Sequence, residues 1–382
     1  MSGPLRIRAA VLRRMGGPLT VEGLLLEPPR AGEVLVRVAA AGVCHSDLHL
    51  AEGHLGTQRQ PIVLGHEGAG VVEAIGEGVG HVRPGDRVGF CFVPACGACG
   101  QCRAGRTNLC ETAGSHNARG VLGDGTTRLR FPDGGEIKHF LSVACFAERC
   151  VVPAAAAIPV PDRLPLWQAA LVGCSVVTGI GAVRNAARVR VGDSVAVIGC
   201  GGVGVQVVAG AALAGAGRIV AVDRDPAKLE LARAHGATHG VLAGNSMVAE
   251  VRELTGGGPD HAFEVVGLPE TIREAFAMIR PGGTAVIVGI TPSGVEVPIP
   301  ALDFLSDKTL RGCFYGSANV AAEMPVMVEM VADGRLPVAD VISHRIGLEG
   351  IEQAFDRLRR GEGARSLVVL DPAAAGIEPA GD

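Results

Sequence analysis

Cys96, Cys99, Cys102 and Cys110 fall within one glycine-containing stretch, CGACGQCRAGRTNLC. This spacing lets four thiolates close tetrahedrally on a single ion, and a Cys₄ set leaves no coordination position for water. Structural zinc is the expected occupant. An iron–sulfur cluster is the rival, but the ferredoxin run has a shorter last gap followed by Cys-Pro. Here seven residues separate Cys102 from Cys110, and Glu111 follows. Four merely buried thiols are the plain alternative.

A second chemical signal is Gly199-Cys200-Gly201-Gly202-Val203-Gly204, which follows the strand-like run SVAVIG and opens a helical stretch. In that context the glycines permit a tight turn, close approach of backbone to a pyrophosphate and packing of helix on strand. The helix N-terminus then favours the phosphate charge. The next apolar run, RIVAVD, ends in Asp223, 19 residues beyond Gly204. A carboxylate there accepts hydrogen bonds from ribose hydroxyls and repels a 2′-phosphate, which favours NAD over NADP. Arg224 argues the other way, because a guanidinium could neutralise that phosphate.

The elements that must position these groups are read from composition and periodicity. A chain of 382 residues with 48% apolar residues, 56 glycines and few aromatics suits two domains of tightly turned α/β structure. The first 160 or so residues read as short strands broken by Gly and Pro: EVLVRVAAAG, GAGVVEAIGEGV, GDRVGFCFV and ERCVVP. From about Leu164 the pattern changes to a long helical stretch, WQAALVGCSVVTGIGAV, and then to alternating strands and helices. SVAVIG, RIVAVD, HAFEVV and GTAVIVG are near-continuous apolar runs, as parallel strands buried on both faces require. The predicted fold class is α/β, with a doubly wound parallel sheet following a β-rich domain. No solenoid repeat is present, and the Ala/Gly/Pro-rich tail from Ala373 is expected to be mobile.

A formal net charge of −4, without long like-charged runs, argues against nucleic acid or an anionic membrane as partner and favours a small molecule. Arginines number 32 and lysines only three, a bias that makes Lys228 mildly informative. The N-terminal residues lack the apolar core of a secretory signal, and no run of 18 uncharged apolar residues is read as spanning a bilayer. A cytosolic location is expected, where eleven cysteines stay reduced and Cys clusters mean metal or catalysis. Six have assignable ligand roles. Cys91, Cys145, Cys150, Cys200 and Cys313 are read as small buried hydrophobes.

Three further groups are scattered: Cys44 in GVCHSD, His66 beside Glu67 in GHE, and Cys174 in GCSVV. Each alone has a bland reading, as a packing thiol or a hydrogen-bonded loop histidine. Together with GHEGAGVV, GVCHSDLH, the four-Cys lobe, GCSVVTG, GCGGVG, VDRDPAKLELARAHGATH and FEVVG, in this order, they resemble the zinc-containing alcohol dehydrogenases of the medium-chain dehydrogenase/reductase family. The resemblance covers nearly the whole chain. Residues 113–150 look like the long insertion of the liver-type and formaldehyde-dehydrogenase-like branch, which shorter tetrameric bacterial members lack.

The resemblance implies a GroES-like catalytic domain formed by residues 1–175 and 315–382, with a structural zinc lobe at 94–112. A Rossmann NAD-binding domain would occupy residues 176–314. It implies that Cys44, His66 and Cys174 hold a catalytic zinc with one open position. Ser46 would receive the substrate proton and His49 pass it to solvent; Asp47 would fix the tautomer of His66, and Glu67 would stand behind the metal. For Ser46 a turn-capping role, and for His49 a plain surface position, are the alternatives. His45 and Arg365 would contact cofactor phosphate, Lys228 a ribose, and Thr178 would lie beside the nicotinamide. Val288 joins Gly199, Gly201, Gly202, Val203, Gly204, Asp223 and Arg224 in the implied cofactor set.

Zinc is needed because an alcohol yields hydride readily only as its alkoxide. The metal takes bound water from a pKa of about 15.7 to about 7, and a comparable shift for an alcohol is on the order of 12 kcal/mol. A positioned general base supplies only roughly 3–5 kcal/mol. The implied activity is NAD-dependent interconversion of a primary or secondary alcohol and its aldehyde or ketone, with a homodimer favoured, a tetramer allowed, and LRGCFYG as the candidate edge strand. Phe92, His49, the insertion and the segment near Tyr315 are expected to line the pocket. One alternative is a thiol-dependent formaldehyde dehydrogenase acting on an S-hydroxymethyl adduct. Glutathione-using members carry acidic residues where this chain has Gly53-His54-Leu55-Gly56, which speaks against glutathione itself. Another is a zinc-free quinone reductase, and from a different class a non-catalytic NAD-binding protein; all three catalytic ligands being present speaks against both.

Overall fold

The structure is a computed structural model and describes residues 3–56 and 60–377. It divides into two compact units, 1–174 with 319–382, and 175–318. The chain therefore returns to the first unit at Asn319, four residues later than the sequence reading placed it. Tyr315–Ser317 is a single 3₁₀ turn within the second unit.

In the first unit, the strand Glu33–Val43 is the organising element. It pairs antiparallel with Glu67–Ile75, with Arg149–Pro153 and with Arg365–Val369. Nearly all its residues are buried, as expected for a central strand with protein on both faces. The sheet continues through Arg87–Phe90 to Ala157–Pro159 on one side, and from Arg365–Val369 to Ile342–Ile346 on the other. A closed barrel is built from Leu5–Leu12, Leu19–Leu26, Leu129–Arg130, Glu136–His139 and Ile62–Val63. Two of its strands come from the long insertion, which closes the barrel and leaves no free edges there. The helix Glu111–Arg119, ended by Gly120 in the left-handed conformation, leads into the insertion. Inside the insertion, Arg128 is wholly buried and donates to both Glu33 oxygens at 2.8 and 2.6 Å and to Asp124 at 2.7 Å.

The second unit holds six parallel strands, in the spatial order His239–Leu242, Arg218–Asp223, Ser194–Ile198, His261–Glu264, Thr284–Ile287, Thr309–Gly312. Counted along the chain this is the order 3-2-1-4-5-6, with the topological switch between the first and fourth strands. Thr309–Gly312 is an edge strand, as LRGCFYG was expected to be.

Two expectations are corrected. Leu166–Ala187 is one helical stretch of 22 residues that contains an 18-residue window with a mean hydropathy of 1.6, long and apolar enough to cross a membrane, although no such run was read from the sequence. The interruptions at Gln168, Ser175 and Thr178 hid it; 94% of that window is buried, as in the core helix of a globular protein. The tail is not loose from Ala373: Asp371 caps the short helix Pro372–Ala375 by accepting from Ala374 N at 3.1 Å, and Ala375 is buried. Residues 378–382 lie outside the described residues.

Candidate metal centres and cofactor turn

Cys44, His66 and Cys174 reach one place because of strand register. Gly42 stands opposite Glu67 across the central strand pair, so Cys44, just past one strand, and His66, just before the other, emerge side by side. Gly42 also makes room, since a Cβ there would lie 2.5 Å from Glu67 Oε2. Cys174 is delivered by a π-helical turn, Val172–Val176, within the long helix; such widened turns recur at functional sites. The helix packs this closely only because residue 173 is glycine, a Cβ there falling 2.1 Å from the Phe90 carbonyl oxygen. The three ligand atoms lie within 4.8 Å of one another and all three residues are buried.

Asp47 ties this arrangement together. Fully buried, it accepts from Cys44 N at 3.1 Å, Gly65 N at 3.0 Å and His66 Nδ1 at 3.2 Å. With Nδ1 bonded to a carboxylate, His66 presents Nε2 as its free donor atom. Burial works to lower the His66 pKa, but the charge of Asp47 and its hydrogen bond, with the Cys44 thiolate, push it up to about 10. The Cys44 thiol is held well below its usual range, first by its contact with Cys174, then by Arg365 and His66. Cys174 moves the opposite way because it donates to Cys44 and is buried. Two buried sulfurs competing for one proton are the mark of a set built for a cation, and two thiolates would cancel the charge of a divalent ion.

Behind the ligands Glu67 is fully buried, with the Arg365 guanidinium 3.4 Å from its Oε2. Arg365, which the resemblance implies for cofactor phosphate, also donates to the Val43 carbonyl at 3.2 Å. Ser46 Oγ is 3.6 Å from Cys44 Sγ. Phe92 and Phe140 flank the His66 ring edge-on, at centroid distances of 5.2 and 5.5 Å. Phe140, Gly42 and Gly173 were not singled out in the sequence; only their close approaches mark them.

The four-Cys lobe is assembled differently. Backbone amides donate to its sulfurs: Cys96 N to Cys110 Sγ at 3.3 Å, Cys99 N to Cys96 Sγ at 3.4 Å, Cys102 N to Cys99 Sγ at 3.5 Å and Ala113 N to Cys110 Sγ at 3.5 Å. Hydrogen bonds from Thr112 and from the Ala98 and Cys99 amides lower the Cys96 thiol to about 6. Burial and the neighbouring Cys99 and Cys110 sulfurs push Cys102 up to about 12. Four sulfurs that cannot all ionise alone, with all ligand atoms within 4.8 Å, fit one zinc ion. The other five cysteines are buried, and burial raises Cys145, Cys150, Cys200 and Cys313. They remain packing thiols.

In the second unit the glycine-rich turn follows Ser194–Ile198 and opens the helix Gly204–Leu213. Gly199 has φ +91°, and a Cβ on Gly204 would sit 1.7 Å from the Gly199 carbonyl oxygen. Gly201 faces open space, where a ligand can approach the backbone. Asp223 ends its strand and accepts from Cys200 N at 2.7 Å and Asp225 N at 3.0 Å, which fixes the carboxylate beside the turn. Arg224 is exposed next to it; Lys228 lies half-buried on the helix Pro226–Ala234. Thr178 and Val288 are half-buried, Val288 N donating to the Glu264 carbonyl at 2.8 Å. His45 is exposed at the start of the helix His45–Ala51, its ring 6.2 Å from that of His49. His49 Nδ1 lies 3.1 Å from His54 Nδ1, and His54 was noted in the sequence only as a departure from the glutathione-using pattern.

Comparison with known proteins agrees with this architecture. The profile of the alcohol dehydrogenase GroES-like domain matches residues 30–162, and that of the zinc-binding dehydrogenases residues 202–333. The S-(hydroxymethyl)glutathione dehydrogenase of Synechocystis sp. is 38% identical over 368 residues, 95% of this chain and 100% of that protein. A crystal structure of an alcohol dehydrogenase zinc-binding domain protein from Burkholderia ambifaria superposes with a TM-score of 0.91 at 36% identity, covering 96% of this chain and 99% of that one. Benzyl alcohol dehydrogenase from Acinetobacter calcoaceticus gives 0.89 at 30% identity with the same coverage. The match is thus to the formaldehyde-dehydrogenase-like relatives more than to a generic liver-type enzyme, and both ligand sets are intact, which sets aside the non-catalytic and zinc-free alternatives. The chain therefore belongs to the zinc-binding dehydrogenases of the medium-chain dehydrogenase/reductase family and is a zinc- and NAD-dependent oxidoreductase.

Proposed function

We propose that this enzyme oxidises the hydroxymethyl adduct that formaldehyde forms with a small thiol, giving the S-formyl thioester. The observation that carries this reading is the likeness over nearly full length to curated S-(hydroxymethyl)glutathione dehydrogenases, ahead of a general alcohol dehydrogenase. The adduct RS–CH₂–OH is a primary alcohol. Its oxidation removes the hydroxyl proton and a hydride from the same CH₂, and the cofactor takes the hydride. Zinc, when bound, supplies the Lewis acidity that stabilises the alkoxide. Cys44, His66 and Cys174 would hold it, Asp47 orients His66, and Glu67 with Arg365 keeps the site's charge balanced. Ser46 accepts the alcohol proton and His49 carries it onward. Asp223 selects NAD by repelling a 2′-phosphate.

The thiol is not expected to be glutathione, because Gly53-His54-Leu55-Gly56 lacks the acidic side chains of glutathione users. A second reading, an aryl alcohol, is favoured by the Phe92 and Phe140 rings beside His66 and by the likeness to a benzyl alcohol dehydrogenase. NADH formation followed with formaldehyde plus each of several low-molecular-weight thiols, and with benzyl alcohol alone, separates them. Thiol-dependent turnover of formaldehyde supports the first reading; benzyl alcohol turnover with no thiol effect replaces it with the second. The enzyme is further proposed to be a cytosolic homodimer, joined beside the edge strand Thr309–Gly312, where Leu302 and Leu305 are 75% and 81% exposed. A monomeric mass in solution would refute the dimer.

A further inference from the structure

The helix His45–Ala51 ends in a turn that returns the chain onto itself. Gly53 has φ +84°, a left-handed conformation that glycine adopts without strain, and its N–H donates to the Leu50 carbonyl at 2.9 Å. His54 N then donates back to the His49 carbonyl at 2.8 Å. That backward bond brings the two rings to a centroid distance of 5.4 Å, with His49 Nδ1 and His54 Nδ1 3.1 Å apart. Two imidazole nitrogens at this distance share one proton: one ring donates and the other accepts. Each ring keeps its Nε2 for a different partner. The His49 ring is half-buried and the His54 side chain is 40% exposed, so the pair runs from the interior toward water.

We propose that His54 is the outer member of a two-histidine proton path, taking from His49 the proton released by the alcohol and delivering it to solvent. This deepens the reading above, since it rests on His49 as receiver of that proton. The balance is simple. At rest His49 carries its proton on Nδ1 and His54 on Nε2. An incoming proton bonds to His49 Nε2, the Nδ1 proton of His49 passes to Nδ1 of His54, and the Nε2 proton of His54 leaves to water. Exchange with water, each ring losing the proton at one nitrogen as it gains one at the other, restores the starting tautomers, and aldehyde reduction runs the path inward.

The charges around the pair suit transit over storage. Burial, then the neighbouring His45 and His54, hold the His49 pKa below its ordinary value, against weaker opposing pulls from Cys44 and Glu52. Glu52 Oε2 stands 3.7 Å from His54 Nδ1, and Glu52 is itself held at 2.8 Å by Arg359 from the helix Ile351–Arg360. A proton on His49 is thus disfavoured, while the outer ring has a carboxylate within reach.

The test uses the full-length zinc-loaded enzyme with His54→Gln and His54→Phe. Gln can hold the His49 ring by a hydrogen bond but cannot carry a proton. In weakly buffered solution with an indicator dye, proton release in the first turnover of a substrate from the panel above should slow about tenfold in both variants. KM should stay unchanged, and added imidazole should restore the rate. Independently of substrate, ¹⁵N NMR of the cofactor-free protein should show, for the His49–His54 pair, one protonated and one unprotonated Nδ1 in the wild type and a changed His49 Nδ1 signal in both variants. Unchanged proton release in both variants overturns the proposal. A slowing found only in His54→Phe, or one that imidazole does not restore, reduces His54 to a positioning residue and also overturns it. If no panel substrate is turned over, the proposed function fails while the NMR comparison still decides the shared proton.

Discussion

The two metal-ligand sets of this chain are built on opposite principles. Cys96, Cys99, Cys102 and Cys110 lie in one short loop whose own backbone amides donate to their sulfurs, and Cys96 is exposed. Cys44, His66 and Cys174 come from a strand end, a strand start and a π-helical turn, and all are buried. The first set is supported by its own backbone amides and by Thr112 beside Cys96. The second has Asp47 on the imidazole, the Arg365–Glu67 pair behind the sulfurs, Ser46 beside Cys44 and two aromatic rings at its wall. A site that only has to hold can be local; one that has to react needs supports that only a tertiary fold brings together.

The sharpest way to break this contrast is to remove one ligand from each set. Cys44→Ser should abolish turnover, leave one zinc per chain and retain NADH binding, because the cofactor turn lies in the other unit; metal analysis, fluorescence titration and rate measurement check this. Cys99→Ser should also leave one zinc. Its main effect should be on folding, on the order of 5 kcal/mol or more, since structural zinc contributes roughly 10–16 kcal/mol in small domains. The surviving folded molecules should turn over normally, and activity lost at unchanged melting temperature would refute the division of roles.

Asp47→Asn sharpens the contrast at the next level. Asp47 accepts three N–H groups on its two oxygens, and an amide that turns its NH₂ toward one of them leaves two donors facing each other. The expected cost is about 10–100-fold in zinc affinity or activity, read by chelator competition and by kcat. Around the four-Cys lobe the supporting donors are mostly backbone, with the Thr112 side chain beside Cys96.

The smallest effect belongs to neither site and sets the background for comparing them in acid. His139, in the barrel strand Glu136–His139, is fully buried; burial, then Arg128 and Lys138, lower its pKa to about 3, and its Nε2 accepts from Arg128 N at 3.2 Å. With a folded pKa below the ordinary 6.5, the folded protein binds fewer protons. Stability is thus intact above about pH 6.5 and is lost as pH falls from there toward 3. At pH 5 this is about 2 kcal/mol, from roughly 1.5 units at 1.36 kcal/mol each. His139→Gln keeps an acceptor for Arg128 N and should flatten denaturant midpoints between pH 7 and 5; an unchanged slope would remove His139 from the acid response.

Legibility followed the range of the interactions. The parallel strands were readable because each is a short Val/Ile-rich run buried on both faces, and the glycine turn because strand, glycines and acid stand in fixed sequence. The Leu166–Ala187 stretch was readable as helix, but its burial and its π turn at Cys174 were not, since both depend on Phe90 across the packed strand. The insertion was legible by resemblance but not as barrel strands, two of which it supplies. Its short strands carry little alternation, and their partners are distant in the chain.

By itself the sequence determined the local chemistry: the four-Cys loop, whose spacing alone brings its sulfurs together, the dinucleotide turn, and the α/β pattern of burial. Tertiary structure decided which scattered groups meet. The register that sets Gly42 against Glu67, the glycine that admits the helix to the strand, and the turn that lays His54 on His49 are all settled by packing. The physical reason is that spacing along a chain fixes distance only over a turn or two, whereas a reaction centre needs side chains at contact distance from segments that only a folded core can align.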